Sequence, residues 1–283
     1  MIIDVHTHVF PPRMLRERAR LAQADRAFGA LYDHPRARMA TADDLLASMD
    51  RAGVDVSVAA GFWWHDGALA AEHAAYLLEA AAASGGRLLP FVPVDLASAG
   101  AAERLRALAA AGARGVGEVR PANQALAPAQ AARCLVEASA ELGLALLLHG
   151  SEEVGHEYAG KAGGFTPGDL WALLQALEER GAGGRAIAAH WGGGLPFYAL
   201  MPEVRAALAG GRLAFDTAGT PLLYDPSVFV RGLELVDERL VLWGSDFPLR
   251  DQAADRAAAE AALPDGARRA AVLGENAARF LGL

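Results

Sequence analysis

The sequence predicts an α/β protein built as a single (β/α)8 barrel. Three observations lead there. Eight short apolar segments alternate with Ala- and Leu-rich segments of helical spacing, the alternation that builds a parallel sheet. At 283 residues the chain has the length at which eight such units close on themselves, with insertions. The polar residues able to do chemistry fall at the C-terminal ends of the apolar segments, the rim where barrel active sites form. An open, doubly wound sheet is the alternative closure.

The expected strands are 2–8, 54–60, 88–94, 113–119, 144–149, 185–190, 212–217 and 240–245, each bounded by Gly, Pro or charge. The first carries Asp4-Val5-His6-Thr7-His8. Strand side chains alternate, so Ile2, Asp4, His6 and His8 are expected on one face and Ile3, Val5 and Thr7 on the other. A long insertion, 9–40, follows. Thr41-Ala42-Asp43-Asp44 opens a helix with capping chemistry and Gly53 closes it. The second strand runs into Phe62-Trp63-Trp64-His65, and Gly85-Gly86 and Gly112 stop two further helices. Glu118 and Arg120 end the fourth strand, and His149 ends the fifth. A second insertion, 150–166, is expected as either a lid hinged at Gly160, Gly163 and Gly164 or a solvated loop. Thr166-Pro167 starts the next helix, with Pro at its first position, and Gly181 ends it. His190 ends the sixth strand, and Asp246 follows the eighth. Cys134, in an Ala-rich helical stretch, is expected to be a buried core thiol.

Composition narrows the function. Hydrophobic residues make up 53 % of the chain and the net charge is −8, spread thinly. There is no Lys/Arg block, which argues against a nucleic-acid partner. No apolar run reaches the length of a membrane span. The first residues show no basic n-region or cleavage site, so a cytoplasmic location is the default expectation. The single cysteine excludes an internal disulfide and a cysteine-based zinc site. The expected partner is a small-molecule substrate, and a homo-oligomer is compatible with the sequence.

The chemistry is suggested by imidazoles. Two histidines on one face of one strand sit about 6–7 Å apart at Cβ, close enough for both rings to reach a single divalent metal. His6, His8, His149, His190 and Asp246 all fall on the predicted rim. Three protein ligands with an open position for water is the pattern of catalytic zinc. The bland reading of any one of them is a core or loop histidine.

Those residues resemble the amidohydrolase superfamily, and within it the amidohydrolase-related branch that includes the aminocarboxymuconate-semialdehyde decarboxylase-like enzymes. The resemblance spans the whole chain. It rests on Asp4-Val5-His6-Thr7-His8, the strand-end His149, Ala189-His190-Trp191-Gly192-Gly193-Gly194, Gly244-Ser245-Asp246-Phe247-Pro248 and the closing Gly274-Glu275-Asn276-Ala277. It implies that His6, His8, His149 and Asp246 hold one divalent metal, most naturally zinc, and that His190 is the base or proton donor. Binuclear members often carry a lysine at the end of the fourth strand. Here that strand reads Gly115-Val116-Gly117-Glu118-Val119-Arg120, which favours one metal. Glu118 stays open: a metal ligand, as in the TatD-type nucleases, a support for a ligand histidine, or a buried carboxylate paired with Arg120 or a neighbouring strand.

The leading expectation is a metal-dependent hydrolase acting on a small amide, lactone or ester, with His190 and Asp246 as catalytic residues. The alternative is non-oxidative decarboxylation of a carboxylated aromatic or enoic acid. A second alternative is a non-catalytic metal-binding barrel. Arg120 is the expected carboxylate clamp, and Trp63 is expected to stack on a flat ring.

Overall fold

In a computed structural model describing residues 1–181, 183–263 and 265–283, eight parallel strands follow one another in sequence order around one sheet. They are β1 (Ile3–His8), β2 (Val56–Ala60), β3 (Leu88–Val92), β4 (Gly115–Val119), β5 (Ala145–Leu148), β6 (Arg185–Ala188), β7 (Leu213–Asp216) and β8 (Val241–Leu242). Backbone bonds from Val5 N to Trp243 O (3.0 Å) and from Asp246 N to His6 O (2.9 Å) join the end of the sheet to its beginning. The chain is therefore the expected (β/α)8 barrel, a single domain. β8 is shorter than the expected 240–245 because its last residues peel away to make this seam.

The interior is an apolar stack. Ile3, Val5, Phe91, Leu147 and Ile187 belong to one cluster inside the ring. β4 contributes glycines there, because a Cβ at Gly115 would lie 2.5 Å from the Phe91 ring and one at Gly117 would lie 2.8 Å from Leu147 Cβ. Large and small residues thus alternate between neighbouring strands, as close packing requires. Ala277 and Leu281, on the closing helix Asn276–Leu281, seal the N-terminal end. A larger cluster lies between the strands and the surrounding helices. Helix caps follow the expected chemistry: Thr41 and Thr166 each form a reciprocal box with the aspartate three residues on, and Gly53 is left-handed.

Two expectations are corrected. Regular alternation fails in β1, whose pairing with β2 shifts between Asp4 and Thr7. Ile3 and Val5 face the interior. Asp4 is held instead by Ser245 Oγ (2.6 Å) and by Gln252 Nε2 (2.8 Å) of the helix Gln252–Ala262. The irregularity turns His6 inward directly after Val5, as a bulge does. A single sequence carries no signal for such a shift. Cys134 is exposed, because Ala131, Leu135 and Ala138 supply the buried stripe of its helix, Pro128–Leu142.

The 9–40 insertion folds into three short helices, Pro12–Arg16, Arg18–Ala24 and Arg26–Tyr32. Phe10, Phe28, Phe62 and Trp64 pack together there into a satellite core. His73, given no role by the sequence, belongs to this core. It is fully buried, accepts from Trp64 Nε1 (3.0 Å) and faces Val9 O at 2.7 Å. Burial pushes its pKa down to about 4, so the ring is neutral and structural.

Candidate metal centre

Five strand ends converge on one point at the C-terminal rim. His6 lies at the centre, with no exposed surface. Its Nε2 is 3.0 Å from His8 Nε2 and 3.8 Å from Asp246 Oδ1. His8 Nε2 is 3.4 Å from Asp246 Oδ1. Donors at about 2.0–2.2 Å from a common ion stand roughly 3.3–3.6 Å apart when tetrahedrally arranged. The three observed separations bracket that value, so His6, His8 and Asp246 fit one divalent ion.

Glu118 stands between this group and the other two imidazoles. Its Oε2 is 3.6 Å from His8 Nε2. Its Oε1 is 2.9 Å from His149 Nδ1, 3.4 Å from His190 Nε2 and 3.7 Å from His6 Nε2. β4 also shifts register against β5, between Val116 and Val119, and so delivers Glu118 inward after the interior Gly117. His6, Glu118 and His190 make a second compact donor group that shares His6 with the first. His149 joins neither group among the described residues. Both of its nitrogens face protein oxygens, Nε2 lying 2.8 Å from Gly160 O. Glu118 and Arg120 both line the cavity above the centre. They make no ion pair with each other among the described residues; the partner of Glu118 is instead His149, at the end of the neighbouring β5.

Electrostatics bind the cluster together. Burial alone would lift the Glu118 pKa, but the charges of His149 and His6 hold it well below the usual carboxylate range. Burial likewise opposes ionisation of Asp246, yet a hydrogen bond from His8 and the neighbouring imidazoles bring it down to about 2. Burial would lower His190, but the hydrogen bond and charge of Glu118 raise it to about 9. Buried carboxylates in such number require protons or a cation to balance them.

Asp216, at the end of β7, is the functional residue that the sequence reading missed. It is fully buried, and its Oδ2 accepts from His6 Nδ1 at 2.8 Å. Its Oδ1 accepts from the backbone N of His190 (2.9 Å) and Ala218 (3.0 Å). One carboxylate thus fixes the His6 tautomer, leaving Nε2 as the lone-pair nitrogen, and anchors the turn carrying His190. Its position closing the apolar run Leu213-Ala214-Phe215 was the available signal. Asp216→Asn can no longer hold that tautomer with a charge. It is expected to weaken metal affinity about 10–100-fold, measurable by competition with a chromophoric chelator.

The turn after β6 is left-handed throughout. His190 has φ 57° and Trp191 φ 56°, and Gly192, Gly193 and Gly194 continue at positive φ. The glycines carry the curl at no side-chain cost. The curl brings His190 Nδ1 within 3.0 Å of Ala218 O and frees Nε2 toward Glu118. It also passes close to Gly150, where a Cβ would collide with Ala189 O and sit 2.7 Å from Gly193 N. Gly150→Ala is therefore expected to destabilise the fold by about 1–3 kcal/mol, seen as a lowered Tm.

Above the centre is a cavity of about 460 Å³. Tyr32, Phe62, Trp63 and Leu223 give it apolar walls, and Arg120 stands on one side. Arg120 is braced by Ala162 O and, at 3.4 Å, by Asn123 Oδ1. Tyr158 and Gly160 bring the 150–166 insertion to the cavity edge. Trp191 belongs to the core, donating Nε1 to Thr220 Oγ1 at 2.9 Å. No described helix is long and apolar enough to cross a membrane.

Comparison with known proteins agrees with this architecture. A family model described as amidohydrolase matches residues 3–283. No curated protein matches the sequence. Among solved structures, the chain resembles 5-carboxyvanillate decarboxylase LigW from Sphingomonas paucimobilis (TM-score 0.71, 17 % identity, 100 % of this chain and 99 % of that one). It also resembles dihydroxybenzoic acid decarboxylase from Polaromonas sp. JS666 with bound manganese and the inhibitor 2-nitroresorcinol (TM-score 0.69, 16 % identity, 100 % and 97 %). A third match is a proposed 2-pyrone-4,6-dicarboxylic acid hydrolase from Pseudomonas putida (TM-score 0.66, 19 % identity, 99 % and 97 %). With a match running from the third residue to the last, the chain belongs to the amidohydrolase family.

Proposed function

We propose that this protein is a metal-dependent decarboxylase of a carboxylated aromatic acid. The observation that carries the reading is the cavity itself. An aromatic-walled space of about 460 Å³ ends on His8 and Asp246 of the His6–His8–Asp246 group, with Arg38 and Arg120 in its lining. Such a space suits a flat ring bearing an acidic group. Hydrolysis, the leading expectation from the sequence, is corrected by the comparisons. Structures sharing this fold over nearly their whole length include decarboxylases of 5-carboxyvanillate and of dihydroxybenzoates.

His6, His8 and Asp246 would hold a divalent ion, which when bound would supply positive charge to offset the negative charge developing on the ring. Imidazole and carboxylate donors accept zinc, the sequence expectation, and also manganese, which the Polaromonas enzyme holds. Arg120 orients the acid through its guanidinium fork. Tyr32, Phe62 and Trp63 pack on the ring and exclude water. His190 donates its Nδ1 proton to Ala218 O, so the proton available to substrate is the one at Nε2. As the bond to the carboxylate breaks, its electron pair stays on the ring carbon, which takes that proton, and CO2 leaves.

The test is a product assay. Metal-replete protein is screened against hydroxylated benzoates and benzene dicarboxylates, and against lactones. The expected result is CO2 together with the arene in which hydrogen has replaced the carboxyl group. Ring opening of lactones, with no CO2 from any aromatic acid, would overturn the reading.

A further inference from the structure

The 150–166 insertion grips the site with its backbone. Its base is closed by bonds from Ser151 N to Phe165 O (2.9 Å) and from Phe165 N to His149 O (2.8 Å). Further along, its carbonyls face the barrel. Gly160 O lies 2.8 Å from His149 Nε2, Ala162 O accepts from Arg120 Nη2, and Gly163 O accepts from Ala122 N at 3.2 Å. Two of these three carbonyls hold side chains of the candidate site.

Lys161 stands between those two carbonyls. It is the one lysine in the sequence, and the remainder of the 26 basic residues are arginines. Its side chain is 9 % exposed. Its ammonium donates to Gly155 O (3.1 Å) and to Glu157 Oε1 (3.0 Å), both earlier in the same insertion. A need for positive charge alone does not explain a lysine in a chain that meets that need elsewhere with arginine. A compact ammonium can be enclosed by a carbonyl and a carboxylate, where a planar guanidinium fork needs more room. Burying it costs solvation unless it is hydrogen-bonded, so the contacts to 155 and 157 fold the insertion back on itself at the point where 160 and 162 face the site.

We propose that Lys161 is a positioning residue: it cross-ties the insertion so that the flanking carbonyls of Gly160 and Ala162 hold His149 and Arg120 in place. The importance of Arg120 to substrate rests on the decarboxylase reading; the cross-tie does not. The experiment compares metal-loaded full-length wild type with Lys161→Met by hydrogen exchange and by steady-state kinetics on an aromatic acid. Hydrogen bonds to a charged group are strong enough that their loss should speed amide exchange at 151–165 about tenfold or more. KM should rise by a similar factor with kcat little changed, because Arg120 binds rather than reacts. A merely stabilising lysine would lower Tm and leave KM alone. Should the variant fail to fold, the native protein is acetylated with an amine reagent. Lys161 is the sole side-chain amine, so mass spectrometry follows it directly, and the acetylated protein should show the same exchange and KM changes. Unchanged exchange at 151–165 after either treatment overturns the proposal, as does unchanged KM in an active enzyme. If the wild type decarboxylates no aromatic acid, the functional reading falls, and the exchange result alone decides Lys161.

Discussion

His6→Ala is expected to leave the protein without its metal and without measurable turnover. His6 Nε2 is the one donor common to both compact groups, and its ring bridges them to Asp216. The register shift after Asp4 aims this side chain at the centre of the ring. Asp246→Ala should lose the ion as well, since its Oδ1 lies within 3.8 Å of both His6 Nε2 and His8 Nε2. Losing one ligand of three removes far more affinity than losing a residue that only orients a ligand, for which about 10–100-fold is typical. Elemental analysis after gel filtration, with circular dichroism to verify folding, makes the comparison. A full equivalent of metal in folded His6→Ala would disprove the ligand assignment. Removing His6 also strips the buried Asp216 carboxylate of its partner, at a cost of about 3–5 kcal/mol. Asp246→Ala, whose side chain sits at the cavity edge, is therefore the safer of the two variants.

The barrel was legible because its determinants are local and repeated. Apolar runs such as Leu144–Leu148, each closed by a glycine or a charge, state both the strand and its end. The rim residues followed, since a polar residue after such a run can only lie at the C-terminal face. The departures from regularity were hidden. The inward turn of His6 and of Glu118 depends on register shifts against neighbouring strands, and those are set by tertiary pairing rather than by the run itself. The same shift sends Asp4, read as a companion of the histidines, to Ser245 and Gln252 at the seam. Asp216 escaped because it does not line the cavity above the centre. Its work is done behind His6, and one strand-end aspartate looks like any other until the ring opposite it is known. The reaction was the least legible part. Imidazoles, a carboxylate and an ion serve water attack and carboxylate loss equally well, and the choice depends on the cavity walls, which come from segments far apart in sequence.

His190→Asn is expected to lower turnover about 10²–10⁴-fold, the usual contribution of a positioned general acid or base, while the protein keeps its metal. The ring lies outside the His6–His8–Asp246 group, with Nδ1 committed to Ala218 O and Nε2 aimed at Glu118 Oε1. Asparagine can preserve the contact to Ala218 through its amide but has no proton to exchange near neutral pH. Its backbone must also follow the left-handed curl, which asparagine tolerates better than most residues. The folded state should therefore survive, and the defect should fall on the proton step. That step can be read by running the reaction in D2O, where the arene product of the wild type gains deuterium at the carbon that lost CO2. Metal content separates the two donor groups. If His190→Asn loses its ion while Asp246→Ala keeps it, the ion sits instead among His6, Glu118 and His190, and His190 is a ligand rather than the proton donor.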